Sequence, residues 1–213
     1  GRIKLNNSFD YSKFAANAES GQSSARYGKY LFIVKDKLSQ VICYDLEAKV
    51  KRYTLTTGIT PEDFWHCNQS SFGKHFYDDA DLFPILYFSM QNDGNGKCSA
   101  LGFRIVPTLT NGEISSFSIT IVQTIMLPAM TDANCLRNVN VTFDLQEGFM
   151  WGYCRNNNPS AANYNKAHFV KFAIPDLFDE SDNIISLVEL TDADILESFS
   201  DDWSMLNAQG GFI

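Results

Sequence analysis

The feature of this sequence that most restricts its fold is a repeated run of short apolar segments separated by turns. Segments rich in Val, Ile, Phe and Tyr recur in groups of four, at a period of roughly 45–70 residues. These residue types favour strands, and strands joined by tight turns form antiparallel meanders. The pattern predicts an all-β fold of about three four-stranded antiparallel units, followed by the opening strand of a fourth.

An inner segment of the first unit, 40–46, is apolar on both of its faces. Val41 and Cys43 alternate with Ile42 and Tyr44. Because a strand covered on one side only would alternate with polar residues, we expect this strand to lie between two layers. Units packed face to face in this way are typical of β-propeller blades. A β-sandwich is the alternative, since roughly twelve short strands can also form two sheets.

The boundaries of the units follow from the turns between the segments. We predict an irregular lead-in at 1–20 and a single, incomplete β-propeller domain at 21–213. Its blades are predicted at about 21–62, 63–130 and 131–196, with the next blade beginning at 197–213. The segment 183–190 is assigned to the third blade. Within 191–199, a capping Thr191 and an acidic first turn predict a short helix.

One further strand, predicted at 114–125, has a different pattern. Its apolar residues Phe117, Ile119, Ile121 and Ile125 alternate with Ser and Thr. This alternation predicts a strand with one apolar and one wet face, as expected at the outer rim of a sheet.

Charge and hydropathy exclude two classes of partner. The 213 residues carry a formal net charge of −8, whereas a general nucleic-acid binder shows a basic patch. No run approaches the apolar length of a membrane span. The chain opens with Gly1-Arg2-Ile3-Lys4, and a leading glycine is expected where a signal or lipoprotein segment has been removed. We therefore expect no nucleic-acid partner and no membrane span, while a lipid anchor upstream remains compatible with the sequence.

The five cysteines are odd in number and never occur in C-x-x-C spacing. Each lies among strand-forming residues, so we interpret them as small buried hydrophobic residues. A disulfide framework or a metal site is the alternative. The cysteines concerned are Cys43, Cys67, Cys98, Cys135 and Cys154.

Candidate binding residues are the polar side chains on the first strand of each unit, which in a propeller lines the central channel. Amide and imidazole groups in such a channel suit hydrogen bonding to sugar hydroxyls or to a peptide. The alternative is that they satisfy one another and buried water. The candidates are Gln22, His66, Asn68, Arg137, Asn138, Asn140 and Gln209.

No catalytic, metal or cofactor motif stands out. The acids Asp78, Asp79 and Asp81 could hold calcium through their oxygens, but they match no EF-hand spacing. Asp201 and Asp202 are predicted in a solvated loop, and no carboxylate pair for glycoside hydrolysis is evident. G-x-S-x-G and the glycine-rich phosphate motifs do not occur. We predict no cofactor and no metal.

Three tryptophans could contact a sugar ring if they were exposed. In a small β protein such residues more often lie in a core or between blades. We therefore predict a structural place for Trp65, Trp151 and Trp203.

Several motifs resemble those of secreted, propeller-like proteins from gut Bacteroidetes. The motifs are Tyr27-Gly-Lys-Tyr-Leu-Phe32, Ile42-Cys-Tyr-Asp-Leu46, His66-Cys-Asn68, Ser71-Phe-Gly73, Asp81-Leu-Phe-Pro-Ile-Leu-Tyr87, Ile174-Pro175, Asp194-Ile-Leu-Glu-Ser-Phe199 and Gln209-Gly-Gly211. The resemblance spans 22–213 and implies location in the periplasm or at the cell surface. Members of this family commonly run to about six blades, and most have no assigned function.

This resemblance implies that the chain holds only the first half of a propeller. Three blades cannot close a ring, and an open array leaves strand edges and an apolar face exposed. We expect a longer polypeptide; the alternatives are a homodimer of half-rings that completes the ring and a monomer closed in some other way.

Two functions follow as hypotheses. The first is a non-catalytic binding module for a glycan or a protein partner. The alternative is an enzyme that acts on carbohydrate or peptide, with His66 as general acid or base in the central channel.

Overall fold

The computed structural model describes residues 21–35, 40–48, 51–59, 66–91, 98–128, 140–155, 160, 164 and 166–204. The described residues form an all-β structure of three sheets. The first sheet contains β1 (Gly21–Tyr27), β2 (Tyr30–Lys35), β3 (Gln40–Asp45) and β4 (Lys51–Thr56). The lead-in predicted at 1–20 lies outside the described residues.

The second sheet has five strands and the third has four. The second contains β5 (His66–Phe72), β6 (Leu86–Gln91), β7 (Cys98–Thr110), β8 (Glu113–Met126) and β12 (Leu187–Glu189). The third contains β9 (Asn140–Asp144), β10 (Phe149–Arg155), β11 (Lys166–Ala173) and β13 (Glu197–Ser204). Neighbouring strands are antiparallel, except that β12 runs parallel to β8. The predicted all-β class is confirmed.

Tight turns join consecutive strands where the sequence supplies residues that accept positive φ. Gly28 (φ 55°) begins the turn between β1 and β2. Asn111 (φ 54°) and Gly112 (φ 82°) form the two-residue turn between β7 and β8. Asn-Gly is the preferred pair for such a hairpin because its backbone twist matches that of the flanking strands. The result is a long β7–β8 hairpin at the centre of the second sheet.

The second sheet is a middle layer between two apolar cores. One core joins it to the first sheet and contains Phe32, Val41, Phe83, Phe88 and Phe103. The other joins it to the third sheet and contains Ile85, Tyr87, Phe143, Met150 and Phe172. Burial of β6 on both faces follows from this layering. β3 is also buried on both faces, as its two-sided apolar pattern predicts.

β8 changes faces part-way along its length. Gly102 pairs with Gln123 and the next residue, Phe103, pairs with Ile121, so Val122 is an unpaired bulge residue. Before the bulge, Phe117 and Ile119 face the first sheet. After the bulge, Ile125 faces the third sheet. The prediction of one continuous apolar face from 117 to 125 is therefore wrong, because one extra residue exchanges the two faces of a strand.

The assignment of 183–190 to the third unit is wrong, because β12 joins the second sheet beside β8. The Gln123 amide nitrogen donates to the backbone oxygens of Asp176 (2.8 Å) and Ile185 (3.1 Å). The backbone nitrogen of Thr124 donates to the oxygen of Ser186 at 2.8 Å. These contacts bind the segment before β12 to β8, in addition to its own antiparallel bridge between Phe178 and Ile184.

The predicted helix at 191–199 is reduced to a single 3₁₀ turn, Asp192–Asp194. Its capping box is present, with Thr191 and Asp194 bonded reciprocally. The chain then becomes extended, because the backbone nitrogen of Leu196 donates to the oxygen of Lys171 at 2.8 Å. Residues 197–204 therefore form the fourth strand of the third sheet, which corrects their assignment to a new blade. Residues 205–213 lie outside the described residues.

The cysteines divide into two kinds. Cys43 and Cys67 are buried thiols that form no disulfide, as predicted, and burial raises the pKa of Cys43 to about 12. Cys154 is disulfide-bonded, so its interpretation as an isolated buried thiol is wrong. The side chain of Cys98 and the whole of Cys135 lie outside the described part of the chain.

Candidate functional site

The first strands of the three sheets lie side by side, with β5 between β1 and β9. Ser23 Oγ lies 2.8 Å from Ser70 Oγ and accepts a hydrogen bond from the backbone nitrogen of Ser70 at 2.8 Å. Ser89 Oγ accepts from the backbone nitrogen of Val141, also at 2.8 Å. Hydroxyl groups thus join neighbouring sheets along this inner edge. We call β1, β5 and β9 the inner strands.

Two of the inner strands carry a bulge at a predicted site residue. In β1, Gly21 pairs with Lys35 and Ser23 with Val34, so Gln22 has no residue opposite it. In β5, Cys67 pairs with Met90 and Gln69 with Ser89, so Asn68 also has no residue opposite it. A bulge interrupts the ladder and redirects the side chain of its extra residue. Neighbouring inner strands therefore place amide residues at equivalent irregularities.

The structure places four of the seven predicted site residues on the inner strands. Asn68 is 2% exposed and Asn140, the first residue of β9, is 1% exposed. Gln22 lies in β1 and His66 begins β5, but their side chains are outside the described part. The remaining candidates, Arg137, Asn138 and Gln209, lie outside the described residues.

Buried polar groups that were not predicted as site residues accompany these amides. Gln69, Ser70 and Thr142 are buried on β5 and β9. Tyr153 pairs with Asn140 in the ladder, and its buried hydroxyl has no hydrogen-bond partner. Burial raises the pKa of Tyr153, so this hydroxyl keeps its proton and remains a donor. Tyr153 lies in a strand that the sequence predicts to belong to the core, so nothing in the neighbouring residues indicates a polar role for it.

The acidic side chains of the loop after β5 stabilise the fold through contacts within the chain. Arg104 donates to both carboxylate oxygens of Asp81, at 2.8 and 2.7 Å, and lies 4.3 Å from the ring centre of Tyr77. Asp78 Oδ1 accepts from the backbone nitrogen of Ala80 at 2.9 Å. Within the described ranges, no group of three or more His, Cys, Asp or Glu residues is arranged to hold a metal. The carboxylate of Asp81 is thus committed to a cation of the chain itself.

The histidines with described side chains have separate environments. His75 Nε2 lies 3.6 Å from Asp176 Oδ1, longer than a hydrogen bond, and is buried without a partner. Burial and then Lys74 lower the pKa of His75, and this outweighs the opposing effect of Asp176. His168 Nδ1 lies 2.9 Å from Ser200 Oγ. The two histidines lie on different structural elements.

The third sheet carries aromatic residues on the face away from the second sheet. Phe169 and Phe199 stack at 4.9 Å with an interplanar angle of 19°, and Trp151 meets Phe199 edge-on at 6.1 Å. Lys171 Nζ lies 3.9 Å from the ring centre of Phe149 and 5.4 Å from that of Trp151. We call Phe149, Trp151, Phe169, Lys171 and Phe199 the aromatic face.

The predicted structural role of the tryptophans can be followed only at Trp151, which is half-buried. Trp65 and the side chain of Trp203 lie outside the described part of the chain. Asp201 and Asp202 belong to β13, so their predicted loop location is wrong.

The chain matches no protein-family model, no curated protein and no solved structure. The resemblance to secreted propeller-like proteins therefore stays a prediction. No helix among the described residues has the length and apolarity that a bilayer crossing requires.

Proposed function

We propose that this chain is a non-catalytic binding module of β-propeller type that binds a glycan at its inner strands. The bulges at Gln22 and Asn68 carry the proposal, because they place amide residues at equivalent points of two adjacent strands. Each amide offers both a donor and an acceptor, which matches the paired donor and acceptor character of sugar hydroxyls. The buried Tyr153 hydroxyl adds a donor beside Asn140.

The sheet order supports blades of a propeller. In the first sheet the strands follow one another in sequence from the inner strand outwards, and the third sheet follows the same order with β13 outermost. The second sheet also begins at its inner strand, β5. Consecutive sheets meet at their inner strands, as consecutive blades do around a central axis. A glycan bound at this axis would contact more than one blade.

The disulfide at Cys154 supports export to the periplasm or cell surface. Structural disulfides form and persist in oxidising compartments and are rare in the cytosol. A surface location brings the protein into contact with extracellular glycans.

A glycan array followed by titration calorimetry tests the proposal. We expect at least one glycan to bind, and Asn68→Ala to weaken binding by about tenfold or more, which corresponds to about 1.4 kcal/mol. Gln146→Ala is the matched control, because Gln146 is an exposed amide in the turn after β9. Both variants are compared with the parent by circular dichroism so that affinity is measured on folded protein.

Two results would overturn the proposal. One is an array on which no glycan binds, including the case in which only a peptide is bound. The other is a folded Asn68→Ala variant whose affinity equals that of the parent. The enzyme alternative with His66 stays a prediction. Turnover of a bound glycan that is lost in His66→Ala would favour it over binding alone.

A further inference from the structure

We propose that Tyr27 and Phe76 form a further glycan subsite, at which a neutral sugar ring packs on two exposed aromatic rings. The inference rests on the proposed function for the class of ligand. It adds an apolar contact that the amide residues of the inner strands do not provide. We call this pair of rings the aromatic corner.

The aromatic corner lies at the surface of the molecule. Tyr27 and Phe76 are each 38% exposed, and their ring centres are 6.5 Å apart. The ring planes meet at 78°, so the rings form two walls rather than one flat surface. Single exposed apolar residues are ordinary, whereas exposed rings in contact with each other favour a binding surface. A sugar presents C–H groups as well as hydroxyl groups, and its C–H groups can pack on both walls.

The aromatic corner lies at the end of the inner strands opposite the bulges. Ser23 contacts Ser70 and, further along, the ring centre of Tyr27 lies 5.4 Å from that of Phe72, so β1 and β5 run in the same direction. Tyr27 ends β1, whereas the bulge at Gln22 lies near its start. At about 3.3 Å per residue, the two points are roughly 16 Å apart. A ligand that contacts both must therefore be an oligosaccharide.

Both walls of the aromatic corner are held in place by buried parts of the chain. The ring centre of Tyr27 lies 6.0 Å from that of Phe83, which is completely buried in the core. Directly before Phe76, the backbone oxygen of His75 accepts a hydrogen bond from the nitrogen of Ile85 at 2.9 Å. Rings that are already fixed lose little conformational freedom when a ligand binds, which favours affinity.

The charged side chains nearest in sequence favour a neutral ligand. Three of them are paired within the chain, with N···O distances of 2.9, 3.5 and 2.7 Å: Lys29 with Asp45, Lys74 with Asp176 and Asp81 with Arg104. The others are exposed and of both signs, Arg26 before Tyr27 and Asp78 and Asp79 after Phe76. A ligand with a net charge of either sign would meet a like charge. Guanidinium donors and carboxylate acceptors suit the hydroxyl groups of a sugar.

Titration calorimetry with three neutral oligosaccharides, cellotetraose, mannotetraose and chitotetraose, tests the inference. We expect at least one of them to bind the parent chain, and Tyr27→Leu and Phe76→Leu each to weaken its affinity by about tenfold. Leucine keeps apolar contact with the core but has no ring on which a sugar can pack. Circular dichroism of each variant ensures that affinity is measured on folded protein.

Tyr164→Leu is the matched control, because Tyr164 is a 45% exposed tyrosine outside the aromatic corner and its change should leave the affinity unaltered. Asn68→Ala, titrated with the same oligosaccharide, separates this inference from the proposed function. A loss of affinity with Asn68→Ala but with neither leucine variant of the corner overturns the subsite alone. A loss with both leucine variants but not with Asn68→Ala overturns the site at the inner strands, and the aromatic corner stands as a glycan site. A parent chain that binds none of the three oligosaccharides overturns the inference.

Discussion

Tyr87→Phe is the perturbation whose effect the structure specifies most closely. The Tyr87 hydroxyl donates to Gln123 Oε1 at 2.6 Å, and Gln123 is completely buried. Phenylalanine fills the same space, so the change creates no sizeable cavity. It leaves Gln123 Oε1 buried without its donor, which costs about 1–3 kcal/mol of the free energy of unfolding. For a chain of this length, that corresponds to a fall in Tm of about 2–12 °C.

A second variant tests whether Gln123 acts through the same network. Gln123→Leu removes the acceptor of the Tyr87 hydroxyl and the donor to two backbone oxygens, those of Asp176 and Ile185. The buried Tyr87 hydroxyl and two partly buried backbone oxygens lose a partner, so we expect a larger loss than for Tyr87→Phe. In the double variant the losses should fall short of additive by about 1 kcal/mol, as for residues in direct contact.

The assay is equilibrium unfolding in urea, with the free energy of unfolding obtained for each variant. Tyr164→Phe is the matched control, because Tyr164 is 45% exposed and its change should remain within about 0.5 kcal/mol. A Tyr87→Phe variant that is as stable as this control would refute the reasoning. Fully additive losses in the double variant would refute the coupling of the two side chains.

Three further predictions concern packing, pH and redox state. Gly102→Ala would place a methyl carbon 2.7 Å from the Tyr87 ring, so we expect thermal unfolding to show a loss of about 1–3 kcal/mol. Because burial lowers the pKa of His75 below 6.5, the unfolded chain binds the proton more readily, and the free energy of unfolding should fall as pH drops below 6.5. In urea titrations at several pH values, His75→Gln should make the free energy of unfolding depend less on pH. An unchanged pH dependence would contradict this prediction. Peptide mapping without reductant should find Cys154 in a disulfide, whereas Cys43 should be alkylated only after unfolding; alkylation of Cys154 before reduction would contradict the assignment.

Local sequence patterns were sufficient for the strands whose burial follows from alternation. The two-sided apolar pattern at Val41–Tyr44 predicted a strand buried on both faces, and β3 has this burial. The turn of the β7–β8 hairpin at Asn111-Gly112 was not predicted, although Asn-Gly is a local signal for it and both residues have the positive φ values that it requires. In both places the neighbours in sequence are also the neighbours in space. Local information therefore determined the outcome.

Sequence patterns failed where a distant contact decided the structure. The capping box at Thr191 forms, yet pairing with Lys171 in β11 ends the helical turn after three residues. β12 leaves the third unit because Gln123, far away in sequence, bonds to the segment before it. The residue propensities of a short stretch of sequence carry no information about either of these contacts. Among the site residues, the polar character of the inner strands was evident, but the bulges at Gln22 and Asn68 required the pairing register.

The bulge at Val122 has a consequence for changes in the length of β8. Deletion of Val122 would make Ile121 and Gln123 consecutive and leave their partners, Phe103 and Gly102, unchanged. Ile125 would then still pair with Ala100 and face the third sheet. The bulge can therefore absorb a change of one residue in the length of β8 while both cores keep their residues.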